Sequence, residues 1–104
     1  MTQKIDRKKQ VDAVNNLSVK SYLEILGYDS LISARGYALF PAVFPKKGIV
    51  YVDNGINKFR IGQGKHIGGV LDLATMLFGV SRTAVLKNIA LYRIDQLMSK
   101  CENR

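Results

Sequence analysis

One cysteine, one histidine, two prolines and no tryptophan occur in this chain of 104 residues. Each scarcity excludes something. Cys101 has no second thiol to pair with, so no internal disulfide forms and no metal site rests on it alone, which suits a reducing cytoplasm. His66 has no neighbouring thiol or acidic pair with which to hold zinc. The same isolation disfavours nucleophilic catalysis, because nothing in the sequence places a carboxylate to orient the one imidazole beside a serine. Asp72 reads as a charge at a helix start, not as a general base. Long apolar runs are also missing, and none approaches the ~20 residues of a membrane span. The opening MTQKIDRKKQVDAVNN lacks the apolar centre of a signal peptide. The expectation is a soluble, cytoplasmic protein with no enzymatic activity, no metal and no cofactor.

Acidic residues are few as well: eight stand against sixteen Lys and Arg, for a net charge of +8. That excess favours phosphate backbones or anionic membranes as partners. An apolar content of 47% over this length fits one domain, and no internal repeat or low-complexity tract divides it. Residues 1–16 carry Lys4, Arg7, Lys8 and Lys9, with Ile5, Val11 and Val14 too sparse for a buried stripe. They read as a basic arm or a loose helix ahead of a single domain over 17–99, with 100–104 as a tail.

Val19, Tyr22, Leu23 and Leu26 recur at helical spacing, with Ser21 and Glu24 as a capping box and Gly27 as the stop. The run YALFPAVF at 37–44 is a strand whose Pro41 confines it to an edge or a bulge. Pro45 to Gly48 turn the chain. Two β-type runs follow, joined at Asn54-Gly55, the dipeptide that a two-residue type I′ hairpin turn favours. After the glycine-rich stretch 62–69, VLDLATMLF at 70–78 is a helix ended by Gly79. Ser81 then caps a last helix through about Met98, with Val85, Ile89, Tyr92 and Leu97 inward and Arg82, Lys87, Asn88 and Asp95 outward. The predicted fold is α+β: a small antiparallel sheet of three or more strands, with its central hairpin at 49–61, a short N-terminal helix and two C-terminal helices.

A two-residue turn pairs Asp53 with Ile56, Tyr51 with Lys58, Val50 with Phe59 and Ile49 with Arg60. Alternation then puts Val50, Val52, Phe59 and Ile61 on an inner face and Tyr51, Lys58 and Arg60 on an outer one. An aromatic between cations is a platform for single-stranded nucleic acid, with a base on Tyr51 and phosphates on Lys58 and Arg60. Over residues 35–66 the basic groups are Arg35, Lys46, Lys47, Lys58, Arg60 and Lys65, and the one acid is Asp53, so +5 of the charge is concentrated there. The plainer account of these residues is a solvated sheet face with cross-strand packing. GQGKHIGG at 62–69 precedes a helix, where glycine amides approach phosphate oxygens and Lys65 and His66 meet the same anion. Its spacing matches neither a P-loop nor a dinucleotide-binding fingerprint, and four glycines also serve as a tight turn.

From about Val19 to Ala90 the chain resembles the zinc-ribbon domain at the N-terminus of bacterial and phage-type DNA primases. The features that carry the resemblance are the helix VKSYLEILG, a strand with Phe40-Pro41, the hairpin with Asn57-Lys58-Phe59, the glycine turn, and GGVLDLATMLFGVS leading into a helix. Aligned on that family, the four zinc ligands fall at Phe40, approximately Val43, Arg60 and Gln63, none of which binds zinc. One extra residue near Ile67 departs from the family's turn. The resemblance implies a metal-free, zinc-ribbon-like fold that engages single-stranded DNA, as an accessory domain of a mobile element, phage or plasmid replication or mobilisation system. Two other readings stand beside it. One is a protein-interaction module or homodimer that modulates a helicase, primase or relaxase through an outer stripe of Leu86, Leu91, Ile94 and Met98. The other is a duplex-DNA regulator that lays its last helix in the major groove.

Overall fold

The computed structural model describes residues 7–102, the side chains of 100–102 apart. Lys4, Ile5 and the side chain of Cys101 therefore lie outside the described residues. The elements in chain order are α1 (Arg7–Asn15), α2 (Val19–Ile25), β1 (Ile32–Ser33), β2 (Tyr37–Phe44), β3 (Gly48–Asp53), β4 (Lys58–Ile61), α3 (Val70–Phe78), α4 (Arg82–Lys87) and α5 (Ile94–Glu102). The fold is α+β, with an antiparallel sheet in the order β1-β2-β3-β4. No helix among the described residues is long and apolar enough to cross a membrane.

Strand alternation builds the core. Ala38, Phe40, Val50, Val52 and Phe59 all point to one side of the sheet and are fully buried. They meet Val19, Tyr22, Leu23, Val70, Leu71, Leu73, Val85, Ile94 and Leu97 from the helices in a single apolar cluster. Burying one such aliphatic or aromatic side chain stabilises the fold by roughly 1.5–3 kcal/mol. Pro41 lies where the β2–β3 register shifts, between Phe40 and Phe44, so the missing amide coincides with a bulge.

Of the local expectations, the loose helix and the three or more strands become specific, while the cap of α2 and the single last helix change. The segment 7–15 is a helix whose Val14 is buried, and Arg7 donates a hydrogen bond to the Thr83 hydroxyl at 3.0 Å. The cap of α2 is Ser18, whose hydroxyl accepts from the Ser21 amide at 3.1 Å, in place of a Ser21–Glu24 box. The sheet gains the two-residue strand β1. The single helix predicted over 81–98 is two, broken at 88–93, where Asn88 leaves helical geometry and Arg93 adopts a φ of 64°. The break turns Ile94 fully into the core and brings the Tyr92 carbonyl to the buried Tyr22 hydroxyl, which donates to it at 2.7 Å. Burial raises the pKa of that phenol far above its ordinary value, the nearby Arg93 charge opposing the shift only in part. The outer stripe expected of Leu86, Leu91, Ile94 and Met98 is absent: Leu86 and Ile94 are buried, Met98 is half-buried and Leu91 alone is exposed.

Candidate nucleic-acid interface

The β3–β4 hairpin is longer at its tip than a two-residue turn. Its register pairs Asp53 with Lys58, Val52 with Phe59, Tyr51 with Arg60 and Val50 with Ile61, so residues 54–57 form a four-residue loop. Two side chains account for the difference. The Asp53 carboxylate accepts from the amides of Gly55 at 2.9 Å and Ile56 at 3.3 Å, an Asx turn that takes the place of the tight turn. Asn57 adopts the positive φ of 56° that the loop needs before the chain enters β4. The slip is two residues, a full period of a strand, so each side chain stays on its expected face while its partner changes.

Tyr51 consequently lies opposite Arg60, whose guanidinium carbon sits 4.2 Å from the centre of the tyrosine ring. On the other side, from β2, Tyr37 stacks on Tyr51 with centroids 5.6 Å apart and planes 5° from parallel. The three side chains form a row across β2, β3 and β4. Arg60 is fixed further by a hydrogen bond from its guanidinium to the Gly62 carbonyl. Around this row Ile32 and Ile49 are 44% and 41% exposed, and Leu39 is half-buried. None of these five apolar or aromatic residues joins the core cluster, which lies on the opposite face of the sheet. Among the described residues the sheet is therefore covered on one face only.

The eight residues expected at the site distribute along this face and its ends. Tyr51, Lys58 and Arg60 occupy the middle, with Lys58 exposed. Lys46 and Lys47 are exposed in the β2–β3 turn at one end, and Lys65 is exposed in the glycine loop beyond β4. Arg35 lies at the opposite end, in the β1–β2 turn, which is tied to the hairpin tip by the Asn54 amide reaching the Arg35 carbonyl at 3.3 Å. His66 approaches Asp53, its Nε2 3.9 Å from the carboxylate.

The glycine loop is organised by protein groups. Gly68 bridges to Phe59 in antiparallel fashion, lining the loop against β4. The Asn15 side chain, from α1, accepts from the Leu71 amide at 3.1 Å and so caps α3 from outside its own sequence. The Asp72 carboxylate folds over Gly68 so closely that a β-carbon there would stand 1.9 Å from its oxygen. Gly69 is similarly confined, its would-be β-carbon 3.0 Å from the Asn15 side chain. These glycines make room for Asn15 and Asp72.

At the positions aligned with zinc ligands, Phe40 and Val43 are buried, Arg60 lies on the opposite face and Gln63 is exposed, so the four do not share a centre. Among the described residues no group of three His, Cys, Asp or Glu side chains gathers to hold a metal ion.

Tyr37 and Asn57 are the residues that sequence reasoning overlooked. Tyr37 sits within the run 37–44, and only the β2–β3 pairing shows that it shares a face with Tyr51. Asn57 accepts from the Val19 amide at 3.0 Å and donates to the carbonyls of Leu17 at 2.7 Å and Asn15 at 3.1 Å, binding the hairpin tip to the α1–α2 junction. Its one signal in the sequence is that Asn tolerates positive φ better than most residues. Comparison of the chain with models of protein families, with curated proteins and with solved structures finds no match.

Proposed function

We propose that this protein binds single-stranded nucleic acid, DNA foremost, on the open face of its sheet, and that it acts by binding and not by catalysis. The observation that carries the reading is the Tyr37–Tyr51–Arg60 row standing on an uncovered face among exposed cations. Because Tyr51 is flanked on both sides, bases stack at the ends of the row: on the outer face of Tyr37 and on the guanidinium plane of Arg60. Stacking of this kind contributes ~1–3 kcal/mol per base and tolerates any sequence. Lys58, Lys46, Lys47 and Lys65 meet the phosphates. An accessory role in the replication or mobilisation of a mobile element, phage or plasmid, in the manner of the primase-type ribbon that the sequence resembles, agrees with a module that holds a strand for another protein's chemistry.

Fluorescence anisotropy against single-stranded DNA, duplex DNA and RNA at two salt concentrations tests this. With ~4–6 phosphates engaged, log K against log salt on single-stranded DNA has a slope of about −3 to −4. Lys58→Ala/Arg60→Ala weakens binding and flattens the slope. Equal affinity for duplex, or heparin competing as well as the oligonucleotide, refutes the reading.

A second reading is favoured by one observation. Leu91, 69% exposed, and Phe78, 41% exposed, line a groove of about 240 Å³ together with Leu26, Tyr28, Leu77 and Arg93. That surface suits a protein partner or a second copy of the chain. Size-exclusion chromatography with light scattering separates the two, since a dimer that persists in high salt and is lost in Leu91→Ser places the self-contact there.

A further inference from the structure

The tip of the β3–β4 hairpin is fixed more firmly than a turn needs. Asp53 holds the amides of Gly55 and Ile56, Asn54 reaches the β1–β2 turn, and Asn57 makes three hydrogen bonds to the α1–α2 junction. On this fixed loop Ile56 is 54% exposed. Beside it lies an open groove of about 530 Å³ between the tip, the β1–β2 turn and the start of α2. Lys20 and Arg35 both line the groove, and no acidic residue does. The other polar lining groups are largely committed: the Ser18 hydroxyl to the Ser21 amide, the Asn54 amide to the β1–β2 turn and the Asn57 side chain in full. Lys20 and Arg35 are the charged groups that remain to meet a ligand, beside the Asn16 side-chain amide and the Ser21 hydroxyl.

We infer that this groove is a phosphodiester-binding site, in which Lys20 and Arg35 hold backbone phosphates while Ile56 packs against the adjoining base. The inference rests on the sheet-face reading and extends it. Tyr37, at the end of the stacked row, is paired with Asp53 and lies two residues from Arg35, so the groove begins where the stacking surface stops. A strand leaving Tyr37 thus turns over the tip into a site that offers two cations and one apolar wedge. Apolar side chains, isoleucine among them, can wedge between neighbouring bases. The groove on the other side of Ile56, of about 380 Å³, is lined by Asp72 as well as Lys58, and its carboxylate directs the phosphates to the Lys20 side.

The test uses the full chain, labelled oligodeoxythymidines of about 4 and about 12 nucleotides, both within the usual range of site sizes, and the variants Lys20→Ala/Arg35→Ala, Ile56→Ser and Tyr51→Ala. Loss of two phosphate contacts reduces the salt slope on the longer oligonucleotide by about 1.4. If the wild type engages five phosphates, raising salt from 50 to 200 mM weakens its binding about 130-fold and that of the double variant about 20-fold. Ile56→Ser weakens the longer oligonucleotide severalfold without lowering the melting temperature, and neither change affects the shorter one held on the sheet face. If Tyr51→Ala weakens binding while Lys20→Ala/Arg35→Ala and Ile56→Ser match the wild type, the groove assignment is wrong and the sheet face stands. If the wild type binds neither length, both are wrong.

Discussion

Replacing Asn57 by alanine removes the piece that joins the hairpin to the helices. Its side chain accepts from one backbone amide and donates to two carbonyls, all partly buried. Leaving a buried polar group without its partner costs ~1–3 kcal/mol, and a carbonyl reached by water costs less. Alanine at a φ of 56° adds roughly 1 kcal/mol of backbone strain. Together these give ~2–4 kcal/mol, a large share of the stability of a domain this size. In melting temperature that is a fall on the order of 10–25 °C. Urea unfolding followed by circular dichroism measures it, with an unchanged m-value showing that the loss lies in the native state. Asn57→Gly separates the two causes: it relieves the backbone strain but not the lost hydrogen bonds, so it falls between wild type and Asn57→Ala once glycine's own chain entropy is allowed for. An Asn57→Ala protein within ~0.5 kcal/mol of wild type, the range of ordinary surface changes, refutes the argument.

Tyr22→Phe removes the buried hydroxyl's bond to the Tyr92 carbonyl and costs ~0.5–1.5 kcal/mol by chemical denaturation. Burial raises the folded-state pKa of this phenol above its unfolded value near 10, so its neutral form favours folding below that pH and the contribution fades as pH rises beyond it. The wild type therefore loses stability above about pH 10 more steeply than Tyr22→Phe, and parallel pH profiles contradict this. Gly68→Ala destabilises by ~1–3 kcal/mol through its collision with Asp72, and Asp72→Ala in the same chain restores part of the loss. Additive effects in that double-mutant cycle would show that the two do not touch.

What could be read from the sequence follows from where each signal lies. The α+β class, the hairpin and its two faces rest on alternation over Ile49–Ile61, and alternation survives a slip of two residues. The register does not, because Asn54-Gly55 alone suggests a tight turn, whereas the carboxylate of Asp53 and the conformation of Asn57 decide the loop together. The break at 88–93 has neither glycine nor proline to announce it. It is maintained at a distance by the burial of Ile94 and the bond from Tyr22. The same holds for α1, whose buried Val14 and capping Asn15 take on their roles only in the packed fold. On the sheet face, Tyr51, Lys58 and Arg60 were legible as a strand pattern. Tyr37 joins them by stacking on Tyr51, a contact across 14 residues of chain that local periodicity does not contain. The glycine loop misled for a related reason: composition suggests a cradle for an anion, and only the neighbours Asn15 and Asp72 reveal what those glycines make room for.

The open sheet face is tested most directly by titrating a single-stranded oligonucleotide into the isotopically labelled protein and following backbone amide and tyrosine ring resonances. The account predicts that the shifts gather at Tyr37, Leu39, Ile49, Tyr51, Lys58 and Arg60, with α3 undisturbed. Shifts confined to α4 and α5, or none at a concentration that saturates binding, contradict it.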